Sequence, residues 1–469
     1  MLKKIAVTAL VGCAIGIPAL AQLSTNESEL SSAAEIQKKK ESLTYQEARK
    51  LASEKGWELS FTTGNDNVAT LVGVDPLGKP IYYVTESNVI AAQTTGANQL
   101  WAGGSSGLNL TGSSQSIKGK MAVWDGGRVL GTHQELTGRI LQKDNPGGLS
   151  DHATHVAGTM VASGVSANAK GMAYQFQELH AYDYNSDVSE MMTAAPNLLV
   201  SNHSYGTLTG WQFNNTLNRW EFYGGQGAME DANFGYYNFQ AQLFDSIAYN
   251  APYYLIVKSA GNNRDNNGPP VGGTYYYQNS SGVWVSATRP AGMSSNDGYD
   301  IISTYGGAKN ILTVGAINGI PGGYSGPASV VMSSFSSWGP TDDGRIKPDV
   351  VAAGVNLYSP VASANNAYGV FSGTSMATPN ASGSLMLLQE YYHQLKGVFM
   401  RSATLKALAI HCADEAGPAD GPDYQHGWGV LNVAKGAEVI KSNNLQAHQI
   451  FEEVLTNGAT FTMNVVASG

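Results

Sequence analysis

The sequence contains very little cysteine, which excludes a fold held together by disulfide bonds. Its 469 residues include two cysteines, Cys13 and Cys412. Cys13 lies in an apolar N-terminal run that we expect to be removed, so Cys412 would have no partner in the mature chain. His411 precedes Cys412, but adjacent residues of a helix point apart, which favours a buried structural cysteine over a catalytic thiol. Stability must therefore come from the core or from bound ions.

Charged residues are also scarce, at 13% of the chain, and the formal net charge is -9. Nucleic-acid binding requires clustered Lys and Arg, and the only such cluster is Lys38-Lys39-Lys40. We therefore expect no nucleic-acid partner. After the N-terminal run, no stretch approaches the eighteen or so apolar residues that a membrane span needs, so we expect no transmembrane span.

Residues 1–21 have the pattern of an export signal. Two lysines precede an apolar run over residues 5–19, and Ala19-Leu20-Ala21 resembles a cleavage site. The sequence thus predicts a secreted protein, outside the cell or at the cell surface. A lipoprotein signal is the alternative, because small residues precede Cys13, which would then be lipidated.

Residues 22–90 predict a small α+β unit ahead of the main domain. The segment up to residue 43 is polar, and Thr44 and Glu47 then form a capping box for a helix that should end at Gly56. Two strand-like runs follow, over residues 69–74 and 80–84. The position after an export signal favours a pro-segment that is later removed, and a permanent N-terminal subdomain is the alternative.

From residue 91 to residue 442, apolar strands alternate with helices. This pattern predicts an α/β fold with a mostly parallel central sheet and helices on both faces. The predicted strands span 120–124, 179–182, 198–205, 253–259 and 310–317. Ligands bind at the carboxyl ends of the strands in such sheets, and Asp125, Ser204 and Asn262 lie at those ends.

Two other stretches stand out. The aromatic-rich insertion between Gly206 and Phe239 is either a lip over a binding cleft or a surface loop packed on itself. Residues 452–466 alternate apolar and polar side chains around Asn457-Gly458, which is a hairpin pattern. Residues 443–469 are therefore predicted to be the start of a C-terminal β domain.

Ser375 is the candidate nucleophile, in the stretch Gly373-Thr374-Ser375-Met376-Ala377-Thr378-Pro379. An apolar helix-like segment follows, and Pro379 suits a first helical turn, so the hydroxyl should lie at a helix start. Unpaired amides and the helix dipole favour negative charge there, such as an alkoxide or an oxyanion. For this stretch alone, a Ser/Thr-rich helix cap is the alternative.

Acyl transfer by a serine also needs a base, a carboxylate and oxyanion donors. Small residues and an apolar stripe place His152 at a helix start, as a candidate base. A metal site with His155 is the alternative, but no glutamate lies between the two and no third ligand is near. Asp125 and Asn262 end strands beside glycines. In the order Asp, His, Asn, Ser, the four residues form a serine-hydrolase constellation.

These segments resemble the subtilisin-like serine proteases, the subtilase family. Residues 373–379 match the family's serine motif at every position, and the segments around His152, Ser204 and Asn262 match as well. The resemblance is closest to members with a β-sandwich or barrel after the catalytic domain. It implies Ser375 as nucleophile, His152 as general base and then acid, Asp125 as its orienter, and Asn262 as oxyanion donor.

The resemblance also implies how substrate binds. The segment of Ser204, Tyr205 and Gly206 would pair with an extended peptide and line the pocket for the residue before the scissile bond. In two places the family pattern is not kept, since Gly126 replaces Ser or Thr and Ala153 replaces Gly. Both are small-for-small changes. Family members often bind structural calcium, although no calcium loop of this sequence can be matched residue by residue.

The sequence therefore predicts a secreted serine endopeptidase with an Asp/His/Ser triad, made as a zymogen. Its substrates would be proteins or peptides, its pro-segment would act as inhibitor and chaperone, and its chemistry would require no cofactor. A serine esterase is a lesser alternative. A catalytically inactive subtilase-fold adhesin or scaffold is another, and the presence of all four residues together argues against it.

Overall fold

The computed structural model of the protein describes residues 25–62, 68–75, 78–85, 91–446, 450–453 and 458–462. Its α-helices are α1 (Glu27–Lys55), α2 (Ala97–Leu100), α3 (Asp151–Val161), α4 (Asp187–Ala194), α5 (Phe239–Asn250), α6 (Thr374–Lys396), α7 (Ser402–His411) and α8 (Val433–Gln446). Its strands are β1 (Ser60–Thr62), β2 (Val68–Val74), β3 (Pro80–Thr85), β4 (Met121–Asp125), β5 (Ile140–Gln142), β6 (Leu179–Asp183), β7 (Val200–His203), β8 (Trp211–Asn214), β9 (Arg219–Phe222), β10 (Leu255–Ser259), β11 (Thr274–Gln278), β12 (Trp284–Thr288), β13 (Leu312–Asn318), β14 (Val350–Val355), β15 (Leu357–Pro360) and β16 (Tyr368–Phe371).

The central sheet of the main domain has seven strands in the order β14-β13-β10-β7-β4-β6-β5, and every neighbouring pair is parallel. Helices α3 and α6 pack on one face, and α4 and α5 pack on the other. Because both faces are covered, β4 and β10 are buried along their whole length. The predicted α/β fold is confirmed.

The N-terminal unit begins with a helix that is longer than predicted. We predicted a helix start at Thr44, and this was wrong, because α1 already begins at Glu27. Asn26 caps it by accepting from the backbone N–H of Glu29, and Leu30 and Ala34 are buried against the main domain. Tertiary packing thus forms a helix where local signals are weak. The helix ends at Gly56 in the left-handed conformation, as predicted.

The aromatic insertion belongs to a second, four-stranded sheet in the order β12-β11-β9-β8. Trp211 and Phe222 are buried, and they pack with Tyr275 and Met293 in a core cluster of their own. The insertion is therefore not a loop packed only on itself, because these aromatic residues share their cluster with two residues from later in the chain. The N-terminal unit rests partly on this sheet, since Nε1 of Trp57 donates to the carbonyl oxygen of Gly282 at 3.0 Å.

Two predictions concern the ends of the chain. The predicted export signal, residues 1–21, lies outside the described residues. The hairpin predicted over residues 452–466 lies partly outside them too, and the described residues 450–453 and 458–462 contain no strand. Nowhere in the described ranges is a helix long and apolar enough to cross a membrane.

Candidate active site

Three strand ends bring the predicted residues to one edge of the central sheet. Strands β4, β7 and β10 are adjacent and parallel, so their carboxyl ends meet. Asp125 is the last residue of β4, Ser204 directly follows β7, and Asn262 lies three residues after β10. His152 and Ser375 are the second residues of α3 and α6, respectively.

Asp125 and His152 form a buried pair. Nδ1 of His152 lies 2.6 Å from Oδ1 of Asp125, and that carboxylate oxygen also accepts from the backbone N–H of Gly126 at 2.8 Å. Ser150 caps α3, which fixes His152 in the first helical turn. A carboxylate at Nδ1 favours the tautomer with the proton on Nδ1 and makes Nε2 an acceptor. Nε2 is buried and has no hydrogen-bond partner among the described residues.

Two reciprocal hydrogen bonds join Ser375 and Ser204, each from a hydroxyl to the other residue's carbonyl oxygen. The Ser375 hydroxyl donates to the carbonyl oxygen of Ser204 at 2.9 Å, and the Ser204 hydroxyl donates to the carbonyl oxygen of Ser375 at 2.7 Å. The second bond has a clear cause. Pro379 is the sixth residue of α6, beyond the predicted first turn, and it has no N–H with which to reach the carbonyl oxygen of Ser375.

Ser204→Ala is expected to lower the free energy of unfolding by about 1–3 kcal/mol, because the buried carbonyl of Ser375 would lose its donor. The measurement is chemical denaturation in a Ser375→Ala background, which prevents autolysis. The exposed Ser105 offers a control, since Ser105→Ala should be nearly neutral. Equal stabilities of the two variants would show that the Ser204 hydroxyl contributes nothing at this position.

Asn262 is oriented by the first residue of α6. Its Oδ1 accepts from both the backbone N–H and the hydroxyl of Thr374, each at 2.9 Å. The N–H of Thr374 is one of the amides that a helix start leaves without an internal partner. Because Oδ1 is engaged by two donors, Nδ2 is the end of the Asn262 side chain that can donate towards a ligand.

A cavity of about 40 Å³ lies beside Ser375 and Asn262. Tyr205 and Gly206 line it, whereas Ser204 does not, because its buried side chain holds Ser375 instead. The other lining residues are mostly polar: Thr207, Gln212, Lys258, Ser259, Gly261, Asn263, Asn266, Ser303 and Thr374.

Sequence comparison identifies the family to which this site belongs. The subtilase family model matches residues 125–429, more than half of the chain. The chain belongs to the subtilase family.

Individual relatives match this subtilase over shorter stretches. Pyrolysin of Pyrococcus furiosus is 35% identical over 170 residues, which cover 31% of this chain and 12% of pyrolysin. C5a peptidase of Streptococcus pyogenes is 52% identical over 61 residues, or 13% of this chain and 5% of that protein. The PII-type proteinase of Lactococcus lactis subsp. cremoris is 32% identical over 131 residues, or 24% and 7%. The chain thus spans a small part of each relative's length.

Among solved structures, the prenylagaramide maturation protease PagA is similar at a TM-score of 0.46 and 19% sequence identity. The similarity covers 68% of this chain and 92% of PagA.

The surroundings of His155 and Cys412 do not favour the alternative roles of metal ligand and catalytic thiol, respectively. His155 is buried, and its ring stacks on Phe371 with 5.4 Å between ring centroids. The described part of the chain contains no group of three or more His, Cys, Asp or Glu side chains that could hold a metal ion. Burial raises the pKa of the Cys412 thiol to about 11, the opposite of what a reactive thiol needs.

Two residues of the site were missed by sequence reasoning. Thr374 orients Asn262, and its position directly before Ser375 at a helix start was a signal that could have identified it. Lys258 lines the cavity from within β10, where it is the only charged residue of Leu255–Ser259. A lysine inside a fully buried strand is rare enough to be a signal in its own right.

Proposed function

We propose that this subtilase is a secreted serine endopeptidase that hydrolyses peptide bonds through an acyl-enzyme. The observation that carries the proposal is the buried pair of His152 and Asp125, 2.6 Å apart, at the sheet edge where α6 places Ser375. A serine, a histidine base and a carboxylate that orients the base are the parts that acyl transfer requires. These side chains supply the chemistry, so the proposal invokes no cofactor.

In the proposed mechanism, Oγ of Ser375 attacks the peptide carbonyl carbon while its proton passes to Nε2 of His152. The hydroxyl must first turn from the Ser204 carbonyl to Nε2, which has no competing partner among the described residues. Catalytic hydrogen bonds often form fully only when substrate is bound. His152 then gives the proton to the leaving amine. Asp125 keeps Nδ1 protonated and stabilises the imidazolium.

The negative charge that develops on the carbonyl oxygen would be stabilised from two sides. Nδ2 of Asn262 would donate from one side, with its orientation set by Thr374. The backbone N–H of Ser375, in the first turn of α6, would donate from the other. Water then attacks the acyl-enzyme by the reverse sequence, with His152 acting first as base and then as acid.

Asn262→Ala is expected to lower kcat by about 100- to 1000-fold with little change in KM, because an oxyanion donor acts mainly in the transition state. The measurement is steady-state hydrolysis of a fluorogenic peptide. Asn444, exposed on α8, provides a matched control, and Asn444→Ala should behave like the wild type. A kcat within threefold of the wild-type value would remove Asn262 from the oxyanion site.

We further propose that residues 1–21 are removed on export, that residues 22–90 form a pro-segment, and that residues 443–469 begin a β domain. The pro-segment would inhibit the enzyme and assist its folding. Leu208 lies two residues after Gly206, the end of the segment that we expect to pair with substrate. Its backbone N–H donates to the carbonyl oxygen of Tyr82 at 2.9 Å, which supports an inhibitory position for the pro-segment. N-terminal sequencing of the secreted protein tests this: a start near residue 91 is expected, and a start at residue 22 would favour a permanent subdomain.

A further inference from the structure

A lysine, Lys258, lines the cavity beside Ser375 and Asn262, and no step of the proposed mechanism uses it. Lys258 is only 2% exposed, yet it lines the same cavity as Ser375 and Asn262. Its Nζ donates to the carbonyl oxygen of Tyr205, to Oγ of Ser259 at 2.8 Å and to the carbonyl oxygen of Ser259 at 3.3 Å. All three acceptors are neutral oxygens, and within the described part of the chain no carboxylate pairs with this ammonium.

A buried ammonium without an anionic partner is costly, so its presence calls for an explanation. Burial lowers the pKa of Lys258 to about 7, although the carboxylates of Asp187 and Asp125 act in the opposite direction. Asp187 is itself engaged, because it accepts from the hydroxyl of Tyr205 at 2.8 Å. An anion that entered the cavity would give the Lys258 ammonium the charged partner that no described carboxylate provides.

The size of the cavity limits what that anion can be. Its volume of about 40 Å³ compares with the roughly 10–15 Å³ that one water molecule needs on the same kind of measure. The space therefore suits a carboxylate on a short aliphatic stem and is too small for an aromatic ring. Gln212, Asn263, Asn266 and Ser303 line it with polar side chains, and Gln212 pairs with Asn263 at 3.1 Å and with Asn266 at 3.2 Å. This polar lining suits a polar or charged side chain better than an aliphatic one.

We propose that Lys258 makes this cavity a pocket for an acidic side chain, so that the enzyme cleaves preferentially after Glu or Asp. The proposal rests on the proposed function, since it assigns the cavity to the substrate residue whose carbonyl Ser375 attacks. The carboxylate would take the place of the longest of the three contacts, the one to the carbonyl oxygen of Ser259. Tyr205 and Gly206 would hold the substrate backbone at the mouth of the pocket.

The test uses two fluorogenic peptides that differ only in Glu or Gln before the scissile bond, which have nearly the same shape. We expect the wild type to prefer Glu by roughly 30-fold or more in kcat/KM, which corresponds to a buried charge pair. Lys258→Met should bring the ratio close to one. Lys396, exposed at the end of α6, is the matched control, and Lys396→Met should keep the wild-type ratio.

The ratio separates specificity from a purely structural role, because partial misfolding lowers both rates equally and leaves the ratio unchanged. A Lys258→Met ratio equal to that of the wild type would overturn the proposal. If this variant does not fold, a wild-type panel with Glu, Asp, Gln, Ala, Leu and Phe at the same position decides, and a preference for Leu or Phe overturns it. Cleavage of Gln and Glu peptides at equal rates would defeat this inference alone, whereas no cleavage of any peptide would defeat the proposed function.

Discussion

Ser375→Ala is expected to reduce kcat for peptide hydrolysis by about 10⁴- to 10⁶-fold, the largest effect of any single change in this protein. The variant has no atom that can form the acyl-enzyme, so only oxyanion stabilisation and substrate binding remain. The side chain is small and 3% exposed, and the helix start that holds it depends on backbone contacts that alanine keeps. The measurement is hydrolysis of casein and of a fluorogenic peptide.

The control for this change is Ser105→Ala, on an exposed residue, which should leave kcat at the wild-type level. The Ser375→Ala protein should also keep residues 22–90 attached when the full chain is produced, if maturation is carried out by the enzyme itself. A variant that hydrolyses peptides within tenfold of the wild-type rate would show that another residue is the nucleophile.

Asp125→Asn is expected to lower kcat by about 10⁴-fold while leaving the fold intact. The carboxylate now accepts from Nδ1 of His152 at 2.6 Å, in a pair that is almost fully buried. An amide at this position can donate to Nδ1 instead, which would move the imidazole proton to Nε2. Nε2 could then no longer accept the proton of Ser375, although every atom would lie in nearly the same place.

The matched control is Asp420→Asn. Asp420 is exposed, and this substitution should not change kcat. Steady-state kinetics and a thermal unfolding scan together distinguish a low kcat caused by the wrong His152 tautomer from one caused by loss of the fold. A folded Asp125→Asn protein with a kcat within tenfold of the wild type would mean that His152 does not depend on this carboxylate.

Much of the fold could be predicted because its signals are local. Buried parallel strands are short apolar runs, and Asp125 and Asn262 stand next to glycines where such runs end. The start of α1 could not be predicted in this way, because Leu30 and Ala34 become helical through packing on the main domain. The insertion was ambiguous for a similar reason, since Trp211 finds its neighbour Tyr275 far along the chain.

In the site, too, some residues could be predicted from local patterns and others depend on distant contacts. Helix-start patterns predicted the positions of His152 and Ser375, and strand ends predicted those of Asp125 and Asn262. The bond from the Ser204 hydroxyl to the Ser375 carbonyl joins residues 171 positions apart. The missing N–H of Pro379 explains this bond only once the fold has brought the two segments together. Lys258 was visible as a lone charge in an apolar run, but its place in the cavity depends on how β7 and β10 pair.

Covalent labelling of the matured wild type with a fluorophosphonate probe tests most directly whether Ser375 is a nucleophile activated by His152. Peptide mapping by mass spectrometry then locates the label. We expect one equivalent of label per chain, carried on Ser375. A folded, matured protein that takes up no label would contradict this role of Ser375 and favour an inactive adhesin or scaffold. A label on a different serine would show that Ser375 is not the nucleophile.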